Sequence, residues 1–478
     1  MKRVKVFLIV LALIAGMVGC VPVQYSLTIS STEGGEVTTP GVGTSTYEEG
    51  MVVDLIATPD SGYRFVNWTG DVDTIADAED ANTTITMNGD CSIVANFALG
   101  VLVRDWYDLD AIRDNPGGSY LLMNNLDSTT LGYEELASSI ANGGKGWQPI
   151  GTFSGTFSGQ GYEIRDLSIN RPDEDLIGLF GVVDVGGVVK DIGVVNVTVI
   201  SNSLVGGLVG DNNGTVRNSY ATGNVTSSEG YGYVGGLAGW NWGTVSKSYS
   251  TCSVRGGYAV GGLVGRNYEG TVSNSYATGS VTGNGDCTGG LVGDIAGGAV
   301  SNSYSTGSVT GEGWVGGLVG QNSGNVSNSY SSAEVMGSYR LVGGLVGFNC
   351  ESGAVTKSYA TGSVIGEYDV GGLVGVNAGT VSDSYSTGSV TGEYNVGGLV
   401  ADGLLATVSN SFWDTQTSGQ ATSAGGTGKT TADMKNSATF SGAEWDIIAV
   451  ADEETNPAYT WNIVDGETYP FLSWQSVS

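Results

Sequence analysis

Histidine is absent from all 478 residues. With it go Ser-His and Cys-His nucleophilic pairs, HExxH zinc sites and every other mechanism that moves a proton through imidazole. Only carboxylate- or lysine-based chemistry stays open. Positive charge is scarce too: 18 Lys and Arg stand against 48 Asp and Glu, a net charge of −30. A surface of that sign repels phosphate backbones, which excludes nucleic acid as a partner, although it can hold cations. Cysteine occurs five times. Beyond Cys20, the four at Cys91, Cys252, Cys287 and Cys350 match no metal spacing and predict free thiols. What is plentiful is glycine, 80 residues, without the every-third-residue period that a collagen helix needs. Apolar residues make up 40% of the chain, enough for a core and too many for wholesale disorder.

The first twenty residues, "MKRVKVFLIVLALIAGMVGC", begin with Lys2, Arg3 and Lys5 and continue as an apolar run from Val6 to Ala15. That run is shorter than the ~20 residues of a comfortable membrane span. The segment resembles a bacterial lipoprotein signal with "MVGC" as its lipobox. The resemblance implies cleavage before Cys20, lipidation of Cys20, and an exported, membrane-anchored protein on the cell surface. More than one acyl chain makes such attachment durable.

Residues 21–100 have a texture of their own. "YSLTISSTEGGEVTTP" alternates apolar and polar residues up to a turn at Gly34-Gly35. "TTITMNGDCSIVANF" reads as a hairpin turning at Asn88-Gly89. Gly50, the "ATPDSGYRFVNW" core with Tyr63, Phe65 and Trp68, and the closing Phe97 resemble the internalin-type B-repeat family. This implies a spacer or binding module on a bacterial surface and no chemistry. Residues 101–175 then read as an N-terminal cap and first coils, with short helices in "DWYDLDAIRDNPGG" and "GYEELASSIANGG".

From 176 to 411 the chain repeats itself. "VGGLVGDNNGTVRNSYATGNV" at Val205 returns as "VGGLVGRNYEGTVSNSYATGSV" at Val260 and "VGGLVGQNSGNVSNSYSSAEV" at Val315. Gly-Gly pairs open at 206, 235, 261, 289, 316, 343, 371 and 397, in steps of 26–29 residues. A strand-rich period in the twenties predicts an all-β parallel solenoid of about nine coils, on the order of 40 Å long at ~4.8 Å per coil. The glycine pairs predict backbone angles or close contacts that Cβ forbids. The recurring Asn212, Asn267, Asn322, Asn349 and Asn377 are expected at turns, where asparagine tolerates left-handed angles. These units resemble the GLUG motif, whose Gly-Leu-any-Gly core is Gly207-Leu208-Val209-Gly210 here and departs only at Ala401. Residues 412–478, starting where Phe412 replaces the repeat's tyrosine, read as a C-terminal cap. There Trp413, Trp445, Trp461 and Trp474 supply bulk for the open end. "GGTGKT" within it lacks the first glycine of a phosphate loop, Ser423 standing in its place.

Two sets of residues are candidates for binding. Tyr220, Tyr249, Tyr276, Tyr304, Tyr330, Tyr359 and Tyr385 form one column, either a ladder in the wall or a ligand-binding stripe for sugars. A bend must fall beside them, because strict alternation would place position 218 and its counterparts Lys247, Lys357 and Asp383 on the tyrosine face. Glu367 and Glu393 fall on neighbouring coils with Asp369 nearby, where a Ca²⁺ ion could bridge them. No other cofactor is expected. GLUG repeats also occur in zinc metallopeptidases that cleave immunoglobulin A, an activity a chain without histidine lacks. The sequence therefore reads as a non-enzymatic, adhesin-like or structural surface rod that presents repeated loops to surface proteins or glycans. The alternatives are a carbohydrate-binding solenoid using the tyrosine column and a carboxylate-based polysaccharide-degrading enzyme.

Overall fold

A computed structural model describes residues 23–60, 62–228, 232–404 and 406–475. The signal segment 1–20 and Cys20 lie outside the described residues. The chain divides into two units, Met1–Val101 and Leu102–Ser478.

In the first unit, β1 (Gln24–Ser31), β2 (Gly35–Thr39), β3 (Gly43–Glu48), β4 (Val52–Pro59), β5 (Tyr63–Gly70), β6 (Asn82–Thr86) and β7 (Cys91–Leu99) form two sheets. Their orders are β3-β1-β7-β5 and β2-β4-β6. Alternation along the strands points Leu27, Ile29, Val53, Leu55, Ile85, Ile93 and Phe97 into one buried core with Phe65 and Trp68. The hairpin expected at Asn88-Gly89 is not formed. β6 pairs with β4, whereas β7 pairs with β1 and β5. Ile85 and Ile93 face the same core from opposite layers, so the chain crosses between sheets at this turn instead of folding back within one.

The second unit is the solenoid, with about ten turns. One face is a ten-stranded parallel sheet running from Ile150–Phe153 to Val400–Gly403 through strands such as Val209–Asn212. A second face holds the "TVS" strands in a twelve-stranded sheet. The third joins the tyrosine strands to those that lead into each Gly-Gly pair. Coils start before the glycine-pair repeats, since Ile150–Phe153 and Thr156–Ser158, in the region read as cap and first coils, already pair in register with the following turn. Both helical expectations hold: Trp106–Asp110 and Tyr133–Leu136 are helical, and Trp106 packs against Trp147 over the first coils.

One core runs the length of the unit. Each coil contributes its Leu and Val, as in Leu208, Val209 and Val216, all fully buried. Burial of each such side chain stabilises by about 1.5–3 kcal/mol, and only stacking makes it available. The glycine pairs serve close approach alone, for neither Gly206 nor Gly207 has positive φ. A Cβ on Gly206 would press on the Leu237 and Val209 carbonyls.

The asparagine expectation is corrected. Asn212, Asn241, Asn267, Asn322, Asn349 and Asn377 are not left-handed turn residues but fully buried strand residues. Their amides form a ladder: Asn212 Nδ2 donates to Asn241 Oδ1 at 2.7 Å, Asn322 to Asn349 at 2.8 Å, and Asn349 to Asn377 at 2.7 Å. Asparagine fits because its amide donates to one coil while accepting from the other. The left-handed angles fall instead at Asn218, Lys247, Asn274, Asn302, Asn328, Lys357, Asp383 and Asn410, with φ between 45° and 50°. These residues are the bend beside the tyrosines.

Candidate functional site

That bend turns the tyrosines outward, away from the solenoid core. From Tyr220 to Tyr385 the seven rings stack with centroids 4.7–5.0 Å apart and planes within 8° of parallel. Each interior ring has its faces covered by its neighbours, so the column offers ring edges and hydroxyls to its surroundings. Tyr220 closes one end with a short hydrogen bond to Glu163 Oε1. Burial and the adjoining Tyr330 and Tyr276 push the Tyr304 phenol up to about 12, so the stripe is uncharged at neutral pH.

At the other end the C-terminal segment lies against the column. Tyr359 and Tyr385 are buried with Phe412, Phe440, Trp445 and Trp461, and Trp474 meets Tyr304 and Tyr330. Of the four tryptophans expected to plug the open end, only Trp413 belongs to the solenoid core. The other three cover its flank, where they pack on the outward-turned tyrosine rings. Residues 418–424 close the last coil through backbone bonds such as Gly398 N–H to the Thr422 carbonyl.

The acidic set behaves differently. Tyr368 pairs with Tyr394 in register, which puts Glu367 and Glu393 on adjacent coils, but Asp369 accepts a hydrogen bond from Asn395 Nδ2 at 2.9 Å. Among the described residues no group of three or more His, Cys, Asp or Glu could hold a metal ion. Cys91, Cys252, Cys287 and Cys350 are free thiols. Burial pushes the Cys252 thiol up to about 12, so it is not a ready nucleophile.

Two of the shallow cavities on the unit, among the described residues, hold carboxylates. One, about 240 Å³, is lined by Gln148, Glu174, Asp175 and Leu176 among others. Its Glu174 is paired with Lys145 and Arg171, and its Asp175 is bonded by Asn202. The other, about 250 Å³, lies between the C-terminal segment and the bend at Asn302 and Asn328. Its Asp446 accepts from both the backbone and the hydroxyl of Thr460.

A third feature lies on the outer side of the ten-stranded sheet. Around Arg266 stand the rings of Tyr233, Trp240 and Tyr268, with its Cζ 5.2, 5.9 and 5.4 Å from their centroids. Arg266 Nη1 donates to the Tyr233 hydroxyl at 2.8 Å. Its Nε stands 3.0 Å from Asp294 Oδ2, close enough to pair the charges but out of line for a hydrogen bond. Trp242 packs on Tyr268 with centroids 4.1 Å apart.

Residues 201–226, 256–282, 313–336 and 366–391 match the GLUG motif family, and residues 25–100 match the divergent InlB B-repeat domain. Those four segments are GLUG motifs. Among curated proteins, the chain is 41% identical over 397 residues to a candidate Gly-rich membrane protein of Evansella cellulosilytica, covering 72% of this chain and 42% of that one. It is 34% identical over 135 residues to halomucin of Haloquadratum walsbyi, covering 26% of this chain and 1% of that protein. The chain thus spans less than half the length of these relatives. Among solved structures, a candidate immunoglobulin A1 protease from Bacteroides ovatus aligns at 16% identity with a TM-score of 0.36, over 79% of this chain and 93% of that one. An IgA1 protease aligns at 13% identity and 0.37, over 71% of this chain and 29% of that one.

The GLUG repeat was legible in the sequence, but the Arg266 cluster was not singled out. Its signal lies in the two variable positions of "VGxNx": Asp211/Asn213, Trp240/Trp242, Arg266/Tyr268, Asp294/Ala296, Gln321/Ser323, Phe348/Cys350 and Val376/Ala378. The constant positions serve core and ladder, so the variable ones face out.

The GLUG solenoid is tied to its C-terminal segment through Asp414. Its Oδ2 accepts from Thr431 Oγ1 and the Tyr469 hydroxyl at 2.7 Å each, and its Oδ1 from the backbone of Gln416 and Thr417. Burial pushes this carboxyl up, but those four donors outweigh it and hold it below its usual range. A depressed carboxyl contributes stability above its unfolded pKa of ~3.9 and loses it as pH falls through the folded value. Asp414→Asn should therefore loosen the segment by roughly 1.5–3 kcal/mol at pH 7 and flatten this acid limb. Hydrogen exchange across residues 430–475 reads both; unchanged protection would show that Asp414 does not hold the segment.

Proposed function

We propose that this chain is a non-enzymatic cell-surface lipoprotein, anchored through a lipidated Cys20, whose GLUG solenoid acts as an adhesin-like rod toward surface proteins, glycans or cells. The observation that carries the reading is the division of labour within each coil. Constant residues build one continuous core, and variable residues point away from it coil after coil, an architecture suited to presentation. The absence of histidine and the engaged carboxylates of both cavities support a role without catalysis. The divergent InlB B-repeat domain and the Evansella relative, named as a membrane protein, support a place at the cell surface.

Two measurements test this. Cys20→Ser should move the protein from the membrane fraction to the medium, and wild-type protein recovered from the medium would remove the anchor. Purified protein should bind whole cells in a saturable way; failure on every cell type tried would leave a purely structural rod.

A further inference from the structure

The positions that vary from coil to coil are where packing makes no demand. The coil with Gln321 and Ser323 and the coil with Val376 and Ala378 stack in the same register as their neighbours without any aromatic residue there. The solenoid therefore does not need Trp240, Trp242 and Tyr268, yet it displays them side by side. Trp242 keeps 40% of its surface exposed.

Their polar neighbours are left short of partners. Asp294 is 4% exposed and its Oδ1 has no hydrogen bond; Trp240 Nε1, Arg266 Nε and Asp211 Oδ1 have none either. Asp211, Trp240, Arg266 and Asp294 occupy one outward position on four successive coils, about 4.8 Å apart. Unpaired donors and acceptors beside aromatic rings are costly to leave without a partner.

We infer that this surface, centred on Trp242, Tyr268, Arg266 and Asp294, is a binding site for a neutral oligosaccharide. A pyranose presents a C–H face for the exposed Trp242 and half-buried Tyr268 rings and a rim of hydroxyls that suits the half-buried Arg266 guanidinium beside them. The unpaired atoms of Trp240, Asp211 and Asp294 lie just beneath. An aliphatic side chain of a peptide would cover the rings but offer the guanidinium no acceptor. The charge argues for a neutral sugar: Arg266 is matched by Asp294, Asp211 adds negative charge two coils away, and the chain carries −30. The site is distinct from the tyrosine column, whose stacked rings have no free faces to offer. The inference rests on the surface-display reading only in requiring this face to meet extracellular glycans, and cell binding can fail or succeed independently of it.

The test is titration of the full chain with cellohexaose, laminarihexaose and mannohexaose, with polygalacturonate as the acidic counterpart, read by tryptophan fluorescence and calorimetry. At least one neutral hexasaccharide should bind. Trp242→Ala should weaken it ten-fold or more and Asp294→Asn several-fold, with circular dichroism unchanged, while Tyr304→Ala leaves it intact. No binding to any neutral probe would overturn the proposal. So would binding that survives Trp242→Ala, binding lost only in Tyr304→Ala, or preference for polygalacturonate. If Asp294→Asn unfolds the chain, the exposed Trp242 variant still decides.

Discussion

Gly316→Ala should sharply lower the unfolding midpoint of the solenoid. A methyl group there would sit inside the van der Waals shell of the Val319 carbonyl oxygen and 2.8 Å from the Gly347 nitrogen. Both obstacles are backbone atoms of strands already fixed by the coil above, so no rotamer change relieves them. The expected cost is at the top of the roughly 1–3 kcal/mol range for overpacking, or beyond it. Gly151→Ala, in the ten-stranded sheet of the same solenoid, meets nothing within 4 Å and should shift stability by no more than about 0.5 kcal/mol. Because stacked coils need not unfold as one, local hydrogen exchange is the sound readout. Protection should fall around residues 309–350 for Gly316→Ala alone, and equal behaviour of the two variants would refute the close approach of coils.

The second large effect is expected at the asparagine ladder. Asn349 Nδ2 donates to Asn377 Oδ1 and to the carbonyls of Gly353 and Thr380, while its Oδ1 accepts from Asn322. Asn349→Asp is nearly isosteric yet turns a donor toward three acceptors into a buried negative charge. A loss of about 3–5 kcal/mol at pH 7 follows. Such a carboxyl has its folded pKa raised above the unfolded one. The penalty is therefore full above the folded value and shrinks as pH falls from there toward the unfolded value of ~3.9, below which it changes no further. Asn349→Leu removes the donor without adding charge and should cost less, about 1–3 kcal/mol. Nature of a kind has made this change already, since Ile295 interrupts the ladder and Asn267 turns its amide to the Gly270 carbonyl at 2.8 Å. Denaturation of the three proteins at pH 7 and pH 5 checks both the order and its pH dependence; an aspartate variant as stable as the leucine one would refute it.

How far the sequence spoke depended on what repeated. Core Val and Leu, the glycine pairs and the tyrosine spacing recur in phase, so the solenoid, its register and the column could be read directly. Asn212 and its counterparts also recurred, but a turn-prone residue type hid a buried ladder, because propensity describes an isolated chain and stacking reverses it. The hairpin at Asn88-Gly89 failed for a similar reason: a local turn signal cannot say which sheet the next strand joins. Trp445, Trp461 and Trp474 were correctly seen as a cover, but which surface they cover depends on the outward turn at Asn218 and its equivalents. The Arg266 cluster stayed hidden because it lies where the repeat changes.

The direction of the ladder bonds has a mechanical consequence. They run along the stacking axis, so tension applied along that axis loads the coils in series, and the weakest interface parts first. Each coil of 26–29 residues would then pay out roughly 90 Å of chain at ~3.3–3.6 Å per residue before the next is engaged. Single-molecule stretching of the solenoid should record a row of evenly spaced force peaks; one cooperative rupture would count against this. A protein that lengthens in fixed increments under load can stay attached while it yields.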